Sequence, residues 1–286
     1  MRYLIALLIS LVFGYGLAHG QISLEGTWEL KSFVDHGTGD VDWTKNPTDI
    51  LYQKHISADH FTWVKFDLKT NTLLGMGGGS YSIDSKGRYV ENLDFFYPPG
   101  SSELGQTIPF DVERKGKEWH HTGYAKVFDI GLEGENIKVD SSKIQEIWKP
   151  VKAPKTKSQL VGAWELVKYL DNPESGYMVY PDIIGYIKIL TATHFVWVKF
   201  DKEGDQIYAA GSGTYSVSES GYSEKILMQY PDTQLIGEVV PFDKELSGNQ
   251  WKHYGTFQAP NGEKDIIDEF WRPLILSQTS GDFDLD

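Results

Sequence analysis

The 286-residue chain contains no cysteine. Disulfides therefore cannot staple it, and its stability has to come from packing. The same absence excludes a bacterial lipoprotein anchor, which needs a cysteine just after its signal. Long apolar runs are missing beyond the N-terminus, so no later segment reads as a membrane span. Clusters of Lys and Arg are missing too, and the formal charge of −13 is spread along the chain. That balance argues against nucleic acid, whose phosphates need grouped basic side chains. No H-x-H, H-E-x-x-H or calcium-loop pattern occurs, and adjacent His120 and His121 would point to opposite faces of a strand, so no metal site is expected. No G-x-S-x-G elbow is present. The glycine runs GMGGGS and GSGT lie inside strand patterns and lack the helix and lysine of a phosphate loop. No cofactor is expected.

What is present is a repeat. HFTWVKFD at His60 to Asp67 returns as HFVWVKFD at His194 to Asp201. Around it, EGTWELKSF matches VGAWELVKY, GGGSY matches GSGTY, IPF matches VPF, and EIWKP matches EFWRP. The chain is a tandem duplication, and each copy is long enough for its own core. The copies run over residues 22–150 and 158–273. Between them VKAPKTKSQ reads as an exposed linker, and residues 274–286 form a polar, acidic tail. The first twenty residues, MRYLIALLISLVFGYGLAHG, combine Arg2, a short apolar run and the small residues Ala18 and Gly20. That is the arrangement of a secretory signal peptide cleaved before Gln21. A secreted or periplasmic protein, with no membrane span after cleavage, is expected.

Within each copy the hydrophobic period is two. Tyr222, Glu224, Ile226 and Met228 alternate with Ser223, Lys225 and Leu227, and Trp251, His253 and Phe257 alternate with Lys252, Tyr254 and Thr256. Short strands of this kind, separated by SKG, KEG, RKGK and PNGE turns, predict antiparallel sheet. Only the NPTDIL and YPDIIG stretches could hold a short helix. The regular meander spacing predicts an all-β protein of two tandem antiparallel up-and-down β-barrels. Eight strands would enclose side chains or one small ligand.

The G-x-W of Gly26-Thr27-Trp28 and Gly162-Ala163-Trp164 resembles the first-strand signature of calycin barrels, the lipocalin and fatty-acid-binding superfamily. The ordered series GTWEL, HFxWVKFD, GxGxY and E[IF]W[KR]P resembles a lipocalin-like domain family of unknown function in exported bacterial proteins. The resemblance implies that Trp28 and Trp164 each close one barrel end, with Lys149 and Arg272 as the basic residues packed on them. The T-D-Y segment of standard lipocalins is absent.

Alternation also places the same polar groups on the inner face of both copies. These are Tyr89, Glu91, Trp119, His121 and Glu146, with Tyr222, Glu224, Trp251, His253 and Glu269 as their counterparts. Charges inside a barrel are costly unless paired. Such a set can be a structural network, a polar patch that orients a ligand, or a Glu/His acid–base pair for a hydrolase or isomerase. Trp63, Lys65 and Asp67, with Trp197, Lys199 and Asp201, are expected on the outer face. Non-catalytic binding of a small, partly apolar molecule in the barrel cavities is the expected function. The alternatives are an enzyme and a scaffold with filled barrels.

Overall fold

The computed structural model describes residues 23–275 apart from 37, 38, 40, 131–136, 204, 220, 259–261 and 263. The signal-like segment, most of the acidic tail and the tip of the insertion in the first copy lie outside the described residues. The first copy forms β1 (Gly26–Val34), β2 (Thr44–Lys45), β3 (Ile50–Ile56), β4 (His60–Asp67), β5 (Thr72–Ile83), β6 (Tyr89–Tyr97), β7 (Thr107–Lys115), β8 (Glu118–Ile130) and β9 (Ile137–Pro150). The second forms β10 (Gly162–Asn172), β11 (Gly176–Val179), β12 (Ile184–Leu190), β13 (His194–Asp201), β14 (Ile207–Val217), β15 (Gly221–Tyr230), β16 (Val239–Ser247), β17 (Gln250–Gln258) and β18 (Lys264–Pro273). NPTDIL and YPDIIG, the only stretches that could have held a short helix, instead turn directly into β3 and β12.

Neighbouring strands pair antiparallel in chain order, and each sheet closes on itself. β1 pairs with β9, from Trp28 opposite Pro150 to Val34 opposite Gln145. β10 pairs with β18 in the same way. Leaving aside the short β2 and β11 on the first strands, each copy is a closed, eight-stranded, up-and-down barrel. Closure removes the unpaired edges that an open sheet would expose. Each G-x-W tryptophan is buried and donates its indole N–H to a backbone carbonyl four residues earlier, Leu24 for Trp28 and Leu160 for Trp164, both at 2.8 Å.

Outer faces of the barrels meet in an apolar interface. Val64, Phe66, Leu73, Met76 and Phe95 of barrel 1 share one buried cluster with Ile187, Ile189, Val196, Val198, Phe200, Ile207 and Met228 of barrel 2. Each such side chain contributes roughly 1.5–3 kcal/mol when removed from water. Aromatic side chains of the two copies face each other here. Tyr97 meets Tyr230 with ring centroids 5.5 Å apart, and Phe95 meets Phe200 at 4.6 Å.

This interface overturns one expectation. Val64 and Phe66 of HFTWVKFD point away from the barrel axis into the neighbouring barrel, so Trp63 and Lys65 point inward with Phe61. Trp63 packs on Tyr52 and Phe96, and the Lys65 ammonium lies over the Tyr52 ring. Trp197 is likewise turned into barrel 2. Met228, expected on the inner face with Ile226, is also in the interface.

His55 and His194 are buried at the interface, with rings 6.0 Å apart. Burial, reinforced by His194, holds the His55 imidazole well below its ordinary pKa. Burial lowers His194 to about 4. Both are neutral in the folded protein near pH 7. A depressed folded pKa gives stability that is full above about pH 6.5 and lost as pH falls through the folded value. Melting temperature should therefore drop steadily between about pH 6.5 and 4, and His194→Gln should flatten that slope. Parallel melting curves for the two proteins across this range would contradict the assignment.

Candidate functional site

Each barrel interior is built around a buried ion pair. Glu91 on β6 accepts a 2.6 Å hydrogen bond from Lys54 Nζ on β3, and Glu224 on β15 accepts one of 2.8 Å from Lys188 on β12. All four side chains are at most 5% exposed. The lysine heads sit among aromatic rings. Lys54 Nζ is 5.2 Å from the Trp148 centroid, 5.5 Å from those of Trp119 and Phe61, and 5.8 Å from that of Tyr89. Lys188 Nζ is 5.2 Å from Trp271, 5.5 Å from Trp251 and 5.9 Å from Tyr222. Ring quadrupoles attract a cation by about 0.5–2 kcal/mol each and so offset part of the desolvation cost. The pair itself does the rest. Burial pushes the Glu224 carboxyl up, but the Lys188 charge wins and holds it below the usual carboxylate range.

A second pair lies beside the first, on the last two strands. His121 on β8 and Glu146 on β9 stand directly opposite in the ladder, as do His253 and Glu269 on β17 and β18. His121 Nε2 donates to Glu146 Oε2 at 2.6 Å, and Trp148 Nε1 donates to the same oxygen at 3.0 Å. In barrel 2 the contact is looser. His253 Nδ1 is 3.4 Å from Glu269 Oε2, which accepts from Trp271 Nε1 at 3.1 Å. Burial holds both imidazoles below their ordinary pKa, with Glu146 or Glu269 pulling the other way. Glu146, raised by burial, is brought below its ordinary value chiefly by the His121 hydrogen bond. Each set thus brings two Glu carboxyls, one Lys and one imidazole held below its ordinary pKa into a single interior.

All ten site residues expected from the sequence thus gather inside the barrels, five in each. Their cationic partners, Lys54 and Lys188, were missed. A signal existed: Tyr52, Lys54 and Ile56 share one face of β3, and Tyr186, Lys188 and Leu190 repeat it on β12. The basic residues expected on the G-x-W tryptophans are placed elsewhere. Lys149 and Arg272 follow the inward Trp148 and Trp271, so alternation turns them outward, where they pair with Glu29 and Glu165. Arg114, not Lys149, stacks on Trp28 at 4.7 Å.

The barrels differ in what the set faces. Barrel 2 holds a cavity of about 230 Å³ bordered by Lys188, Glu224, His253 and Glu269 on one side and Leu235, Val240 and Phe257 on another. Trp197, Gln229 and Asp265 are also in its wall. Gln229 reaches the interior because the ladder between β14 and β15 slips by one residue at Ser212/Gly213, leaving Leu227 as an extra residue. The bulge reverses the alternation, so Met228 turns to the interface and Gln229 turns in. Gly211 opposite lets the Trp197 ring lie on the strand; an added Cβ would stand 2.6 Å from the indole nitrogen. Barrel 1 has the same slip at Gly78/Gly79. There Phe96 takes the place of Gln229, and its ring stands edge-on to Trp63 at 5.4 Å.

Comparison with known proteins adds little. No protein-family model matches the chain, and no curated protein does. An uncharacterized protein of Saccharomyces cerevisiae is similar over 85% of this chain and 96% of its own, at 10% identity and a TM-score of 0.47. Two variants of the vaccine antigen transferrin binding protein B of Haemophilus parasuis align over 87% and 85% of this chain, at 11% and 10% identity, each with a TM-score of 0.24. This chain spans 59% and 66% of their lengths. Scores this low carry no weight for fold or function, which rest on the strands and side chains above.

Chemically, the barrel 2 set can accept hydrogen bonds and hold positive charge. A neutral, buried imidazole packed on Phe242 at 4.0 Å is poorly suited to shuttle protons near pH 7. Lys54→Met should cost about 3–5 kcal/mol in urea unfolding by stranding the Glu91 charge, and adding Glu91→Gln should restore most of it. Equal losses in the single and double variants would show that the ion pair is not what holds this interior together.

Proposed function

We propose that the protein is an exported, non-catalytic binding protein that holds a small, partly apolar molecule inside barrel 2. The observation that carries this reading is the cavity itself: apolar on one wall, with an acid, an imidazole and a lysine–glutamate pair converging on the other. Sites for small molecules have this composition, mostly apolar with a few placed polar groups. The volume of about 230 Å³ suits a compact ligand. Glu269 offers its oxygens to a donor on that ligand, and Trp197 and Phe257 flank the ligand's apolar body. The buried network of barrel 1, with Phe96 on Trp63, acts as a structural counterpart.

Two further parts of the proposal rest on the sequence. The signal-like first twenty residues support export, and the G-x-W barrels support kinship with the lipocalin-like domains of exported bacterial proteins. An enzyme reading is weaker, because the Glu/His pairs combine a neutral imidazole with a carboxylate already engaged by a tryptophan N–H.

Native mass spectrometry of the purified protein should detect a bound small molecule that is released on denaturation. Gln229→Phe, which copies the barrel 1 residue into barrel 2, should abolish that mass difference while leaving the melting temperature within a few degrees of wild type. Retention of the same molecule by a folded Gln229→Phe protein would rule out the barrel 2 cavity as its site.

A further inference from the structure

A larger cavity, of about 670 Å³, lies between the barrels. That volume falls within the roughly 300–1,000 Å³ range of small-molecule sites, which favour the junctions of domains. Leu104 of barrel 1 and Val167, Ile184 and Ile187 of barrel 2 line it, together with the Phe95 and Phe200 rings, which touch across the junction. The space exists because the ladder between β10 and β12 ends at Glu165 opposite Ile187. Beyond that point β10 leaves β12 and pairs with β11.

Two tyrosines stand in the gap so formed. Tyr180 and Tyr186, with rings 5.8 Å apart, both line the cleft, and Tyr186 also lines the barrel 2 cavity. The two chambers therefore share an aromatic partition. The Tyr180 hydroxyl is buried without a hydrogen-bond partner among the described residues.

The polar part of the lining has a sign. Glu165 and Arg272 neutralise each other at 2.7 Å. That leaves Asp94, Asp182 and Glu203 against Lys202, with the His60 imidazole also in the lining, an excess of acidic over basic side chains. Anions would be repelled from such a cleft, and a cation would be drawn in.

We propose that the cleft between the barrels is a second ligand site, separate from the barrel 2 cavity, which takes an organic amine. Its apolar body lies over the contacting Phe95 and Phe200 rings, between Leu104 of barrel 1 and Val167 of barrel 2, and its ammonium sits at the rim with Asp182 and Glu203.

Titration calorimetry of the full chain at low salt, with n-octylamine and octanoate as probes, tests this. Octylamine should bind and octanoate should not. Asp182→Asn combined with Glu203→Gln, both surface changes with little bearing on folding, should weaken octylamine roughly tenfold. Ile184→Trp, which narrows the cleft, should weaken it further. Gln229→Phe, which fills the other chamber, should leave octylamine binding in place. No octylamine binding, equal binding of octanoate, or indifference to the paired charge change would overturn the proposal. Loss of octylamine binding in Gln229→Phe would also overturn it by moving the amine into barrel 2, whereas octylamine binding that survives that substitution leaves the barrel 2 reading to be judged on its own ligand.

Discussion

A lysine and a glutamate buried against each other at the centre of each barrel constrain everything around them. Neither group could be left alone in that interior without a large desolvation cost. Their partnership requires β3 to face β6 across one barrel and β12 to face β15 across the other. Aromatic rings then enclose the ammonium, which is why Trp119, Trp148, Trp251 and Trp271 are among the least exposed side chains of the protein. The second carboxylate, Glu146 or Glu269, has no lysine of its own. It relies on an indole N–H and, in barrel 1, a closely bonded imidazole.

One difference between the barrels lies in the residue that a shared register slip turns inward, Phe96 or Gln229. Both copies slip register by one residue midway along their fifth barrel strand, and both thereby bring one extra side chain inward. Phenylalanine at that place adds a ring to the aromatic stack, whereas glutamine leaves room beside the lysine–glutamate pair. Duplication thus supplied two copies of the same buried network, and in barrel 2 a cavity lies beside it.

The junction between the copies has its own logic. An outer barrel face would ordinarily be polar, but here it carries valine, methionine and phenylalanine on both sides. Those side chains are buried only because the partner barrel covers them. The cleft opens where the first and third strands of the second copy part company, at the margin of this contact, so its walls belong to both barrels.

Much of this was legible in the chain. The repeat, the alternation of two, the turns and the absence of cysteine pointed to a pair of antiparallel barrels, and the same alternation put Glu91, His121, Glu146 and their counterparts inside. These succeed because a strand has only two faces and a buried face must repeat every second residue. The errors have equally physical causes. Apolar residues at Val64 and Phe66 looked interior because a sequence does not say whether a covered surface faces its own core or a neighbour. Met228 and Gln229 exchanged roles because a bulge reverses parity, and nothing in a one-dimensional pattern marks the extra residue. Periodicity along the chain determined which residues would be hidden from water. Only the closure of the barrels and their packing together decided from which side each was hidden, since pairing across strands and contact between copies bring together positions far apart in sequence.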